Sequence, residues 1–172
     1  PLCDASAIEG LRLIYPNLPI VHNNPSNLEA RGKMLVGSCL AGISFLKGLG
    51  FVHAISHMVG AEFDTQHGLT NAIVLPSVLK YNRHVMDKKI TIMSEAMGLK
   101  KNDFDNFYQS ICNLLDQLDI PKNLSQIGVE DSAINSLAEK ALKDSAYSTN
   151  PRIASFEEMR ELIKVSLHNG RS

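Results

Sequence analysis

The sequence predicts an all-α fold: a single helical domain of about seven or eight helices over residues 1–172. Three observations carry that expectation. Apolar residues recur at intervals of three and four along most of the chain. Helix-initiating S-x-x-E patterns stand at Ser26–Glu29 and Ser155–Glu158. No segment alternates apolar and polar residues in the manner of a half-buried strand. At 18.9 kDa the chain is long enough to bury one sizeable core, and no internal boundary, repeat or low-complexity stretch is visible in it.

Taken in order, Asp4 to Tyr15 forms the first predicted helix, with Ala7, Ile8, Leu11, Ile14 and Tyr15 on one face, and Pro16 and Pro19 are expected to end it. His22 falls in the polar loop expected next. Ser26-Asn27-Leu28-Glu29 then reads as a capping box with Ser26 as the cap. The second half of that helix, Met34 to Leu46, contains no charge, which predicts the central, least accessible helix of the domain. A histidine-bearing helix follows from about Gly48. After a turn at 63–66, a second apolar run begins at His67, and Pro76 is expected to kink or break it near Leu75. Residues 82–86, with His84, form a link, and Lys88 to Met97 a short helix stopped by Gly98. Asp103 to Leu118 is amphipathic, with Phe104, Phe107, Ile111, Leu114, Leu115 and Leu118 on one side. Asp131 is the expected cap of a helix reaching about Lys143. Asn150-Pro151 marks a turn, and Ser155 starts the last helix, with His168 in the polar tail beyond it.

With 17 basic and 18 acidic residues the formal net charge is −1, which gives no reason to expect nucleic acid or a membrane surface as a partner. No apolar run reaches the roughly 20 residues of a membrane-spanning helix, and no signal peptide is visible. Three widely spaced cysteines, Cys3, Cys39 and Cys112, point to reduced thiols and a cytoplasmic setting.

Chemistry concentrates in Gly48 to Asn82, GLGFVHAISHMVGAEFDTQHGLTNAIVLPSVLKYN, which holds His53, His57 and His67 among residues that otherwise read as core. Buried imidazoles need a hydrogen-bond partner, a metal or a substrate to offset desolvation. His53 and His57 are one helical turn apart, about 6 Å along the axis. His67 is expected at or near a helix N-terminus, where the dipole disfavours imidazolium and leaves a lone pair for a metal. A histidine taken singly in an apolar segment is more often a hydrogen-bonded core residue, and it is three within fifteen nearly uncharged residues that move the balance toward a site.

The same stretch, extended by PLCDASAIEGLRLI, IPKNLSQIGV and TNPR, resembles the C-terminal helical domain of the iron-containing (group III) alcohol dehydrogenases. The resemblance covers essentially the whole chain and implies a dehydroquinate synthase-like C-terminal domain. It also implies an N-terminal nucleotide-binding domain outside this chain. A divalent metal would be held by an aspartate and a histidine preceding PLCDASAIEG, and by His53 and His67. His57 would be the catalytic group beside alcohol and nicotinamide. The metal implied is Fe2+, with Zn2+ as the alternative, and the cofactor NAD or NADP, bound mainly by the other domain. The substrate would be a small alcohol or aldehyde and the complete enzyme a homodimer, with neither nucleic acid nor membrane as a partner. Phe51 and Phe63 are candidate pocket walls, with core as the equal alternative. Where family members commonly carry Pro or His, this chain has Gln66. A glycerol dehydrogenase-like polyol enzyme is a second reading, and a non-catalytic helical interaction domain a third.

Overall fold

The structure, a computed structural model, describes residues 1–171. Eight α-helices and five short 3-10 turns account for the secondary structure of these residues, which contain no strand. The fold is all-α. The described residues separate into two compact units, although the sequence shows no boundary: residues 1–48 with 86–118, and residues 49–85 with those from 119 on. The chain passes between them at Gly48, at the end of the 3-10 turn Arg83–Val85, and before Asp119, whose φ is 54°.

In the first unit, α1 (Leu2–Asn23) packs along α2 (Leu28–Ser44). The first helix runs straight through Pro16 and Pro19, contrary to the sequence expectation. Each proline removes one backbone hydrogen bond and crowds the preceding turn, at about 3 kcal/mol. The long contact with α2 offsets this, and the Asn17 amide donates to Leu13 O at 2.8 Å. Close approach of the pair depends on two glycines. A Cβ on Gly37 would lie 2.7 Å from Ile14 Cγ1, and one on Gly10 would lie 3.0 Å from Gly37 O. The cap of α2 is Asn27, one residue later than expected, with its side chain accepting Ala30 N–H.

Nor is α2 the central buried helix. Only Ala30 and Gly37 are buried in it, while Leu35 (73%), Val36 and Ile43 face out. Its charge-free half meets α1 at Gly37, and α1 is the chief neighbour of this helix. The rest of the unit is α5 (Asp87–Ala96) and the amphipathic α6 (Phe104–Gln117), capped by Asp103, which buries Phe104, Phe107, Ile111, Cys112 and Leu115.

The second unit holds α3 (Gly50–Phe63), α4 (His67–Asn82), α7 (Ile134–Ala141) and α8 (Phe156–His168) around one core. Phe51, Ile55, Val59, Ile73, Leu137, Met159 and Ile163 are completely enclosed there. Phe51 stacks on Tyr147 with centroids 5.3 Å apart, so it is core rather than pocket wall; Phe63 also packs against the core. The fourth helix continues through Pro76, which is itself buried, so burial on several sides outweighs the local cost. Asp131 does not cap α7. It opens a 3-10 turn, and its Oδ1 lies 2.8 Å from His168 Nε2. Ser155 and Glu158 form the expected capping box on α8. No single helix among the described residues is long and apolar enough to cross a membrane.

Candidate active site

The start of α3 has no local cap, because Leu49 occupies the cap position and offers no side-chain acceptor. The first N–H groups of a helix nevertheless need partners. They find them about a hundred residues away: Thr149 Oγ1 accepts from Leu49 N and Gly50 N, and Asn150 Oδ1 accepts from Phe51 N at 3.2 Å. Asn150 also exchanges hydrogen bonds with Asn82 at the end of α4. A Cβ at Gly50 would meet Asn150 Oδ1 at 3.1 Å, and its φ is +70°, so glycine suits this junction on both counts. One amide therefore fixes the start of α3 and the end of α4 together.

The opposite ends of these helices meet at the turn after Phe63. Asp64 takes the left-handed conformation with φ 50°, Thr65 Oγ1 lies 2.8 Å from Thr70 Oγ1, and Gln66 accepts Leu69 N–H as the cap of α4. His67 is consequently the first residue of α4. The fold-back brings all three histidines together: ring centroids are 5.2 Å apart for His53–His67, 5.5 Å for His57–His67 and 5.7 Å for His53–His57.

Two side chains that the sequence reading did not single out complete the cluster. Asn71, one helical turn after His67, places Nδ2 3.0 Å from His67 Nε2 and 3.3 Å from His53 Nε2. The amide donates, so both nitrogens present lone pairs toward one point. Asp144, which follows α7, places Oδ2 3.0 Å from His57 Nδ1. Helical spacing from His67 could have flagged Asn71; nothing local links Asp144 to a histidine 87 residues earlier. Burial, followed by the nearby His67 and His57 rings, pushes the His53 pKa below its ordinary 6.5, while a backbone hydrogen bond with Leu49 acts in the opposite direction. His53 is thereby favoured in the neutral form that binds metals.

Two imidazole nitrogens converging on one position fit a divalent first-row ion in kind, at about 2.0–2.2 Å per bond. In number they are half a coordination shell. No group of three or more His, Cys, Asp and Glu side chains among the described residues is placed to hold a metal ion.

Comparison with known proteins agrees with this architecture. The profile of the Fe-containing alcohol dehydrogenase family, C-terminal, matches residues 1–167. A 1,3-propanediol dehydrogenase of Citrobacter freundii is 35% identical over 171 residues, covering 95% of this chain and 44% of that protein. An NAD-dependent methanol dehydrogenase of Bacillus methanolicus is 30% identical, covering 97% of this chain and 46% of that protein. The crystal structure of a 1,3-propanediol oxidoreductase superposes with a TM-score of 0.93 at 33% identity, covering 97% of this chain and 46% of that one. The chain thus spans less than half the length of these relatives. It belongs to the iron-containing alcohol dehydrogenase family, as the family's C-terminal domain.

Proposed function

We propose that the chain is the metal- and substrate-facing half of an NAD(P)-dependent alcohol dehydrogenase that interconverts a small alcohol and its carbonyl compound. The observation that carries this reading is the meeting of His53 Nε2 and His67 Nε2 at the Asn71 amide. His53 and His67 would hold a divalent ion, Fe2+ or Zn2+, with further donors and the nucleotide site supplied from outside this chain. Bound there, the ion would supply Lewis acidity to the substrate oxygen. In this structure the Asn71 amide donates to both Nε2 lone pairs and would turn aside for an ion to take them, while burial favours the neutral form of His53. His57 stands within 5.7 Å of both candidate ligand rings, centroid to centroid, with its Nδ1 held by Asp144. In this reading His57 would move the alcohol proton. Relatives named for methanol and 1,3-propanediol point to a short alcohol or diol as substrate.

The test uses the full-length protein. His67→Ala is expected to lose bound metal together with activity. His57→Ala is expected to keep its metal, measured by inductively coupled plasma spectrometry, and to lose turnover. Metal kept by the first variant, or lost by the second, overturns these assignments.

A further inference from the structure

Asp144 uses its two carboxylate oxygens differently. Oδ1 accepts the Ala146 N–H at 2.8 Å, which ties the carboxylate to its own backbone. Oδ2 reaches His57 Nδ1 at 3.0 Å. The Asp144 side chain is 11% exposed and that of His57 34%, so the rigid partner is the more enclosed of the two. A carboxylate needed only to shape the turn would be satisfied by the Ala146 bond. The second bond joins it to an element 87 residues earlier, at a ring lying against His67 with planes 16° apart.

An ionised carboxylate can only accept. The neutral imidazole facing it must carry its proton on Nδ1, which leaves the lone pair on Nε2, at the ring edge away from Asp144. We propose that Asp144 is a positioning residue: it fixes the tautomer and rotation of His57, so that Nε2 is the one nitrogen able to take a proton from substrate. This rests on the role given to His57 above and adds the residue that makes that role possible. Without Asp144 the half-exposed ring could turn about χ2 and exchange tautomers.

The experiment is carried out on the full-length protein with 15N-labelled histidine, metal-free and zinc-loaded. Two-bond 15N–1H correlation spectra are expected to show His57 protonated on Nδ1, and Asp144→Ala to shift it toward the Nε2–H form. In steady-state kinetics Asp144→Ala is expected to lower kcat about 10–100-fold, with metal content unchanged and KM altered less than kcat. Asp144→Glu, which keeps the acceptor, should recover part of that loss. An Nε2–H tautomer for His57 in the unmodified protein, or an Asp144→Ala enzyme with full kcat, overturns the proposal. Should Asp144→Ala fail to fold, the spectrum of the unmodified protein decides. If that protein oxidises no alcohol with any metal, the dehydrogenase reading fails, and the tautomer is still judged by its spectrum.

Discussion

The second half of α2 and the whole of α3 are both nearly free of charge and end in opposite environments. Residues 34–44 of α2 have no charge, and Glu62 is the only one in α3. Yet α3 buries Phe51, Ile55 and Val59 completely, whereas α2 turns Leu35, Val36 and Ile43 outward. The difference lies in their neighbours. The third helix is contacted by α4, α7 and the 3-10 turn Tyr147–Thr149, while α2 is contacted chiefly by α1. Lack of charge permits burial; it is the number of packed neighbours that enforces it. Small residues are the better local signal, because Gly10 on α1 and Gly37 on α2 mark where the two helices meet.

Substitutions can break or sharpen that contrast. The largest effect is expected from Ile55→Asp, which would enclose an unpaired carboxylate in a fully buried position. Its cost should exceed about 4 kcal/mol and leave no cooperative urea transition in the second unit. Gly37→Val comes next, because its branches would strike Ile14 and Leu13 at the α1–α2 contact. A loss of about 1–3 kcal/mol is expected by chemical denaturation; an unchanged midpoint would show that the two helices do not need close approach. A smaller effect concerns His53. Its folded pKa lies below 6.5, so between these two values the unfolded chain binds a proton that the folded chain does not. Stability of the metal-free protein should therefore fall as pH drops through that window, and His53→Gln should reduce the slope. Thermal melts across the acid range would reveal a slope of the wrong sign. The smallest effect belongs to Leu35→Asp on the open face of α2, expected within about 0.5 kcal/mol of the parent protein. A large loss there would mean that this face is covered.

Much of the fold is local in origin and was legible. The stripe of α6, the capping box at Ser155 and the turn that makes His67 a first helical residue each depend on neighbours within a few positions. The prolines misled because their cost is local and the compensation is not: α1 recovers it along α2, and Pro76 recovers it in the core. In the site, the three histidines stood out by spacing and by family resemblance. Asp144 did not, since its contact with His57 exists only once α7 is docked on α3.

The junction made by Thr149 and Asn150 bears on the order in which the molecule can assemble. Histidine-bearing α3 leaves the ribosome with Leu49, Gly50 and Phe51 unsatisfied, and the side chains that satisfy them follow about a hundred residues later. Closing a loop of that length is entropically slow compared with forming a helix. The approach of residues 147–152 should thus be a late event that completes α3 and locks α4 through Asn82 in one step. Nascent chains that stop short of Thr149 would hold their histidines on an unanchored helix, so the cluster of His53, His57 and His67 would take its final form only after residues 147–152 have been made.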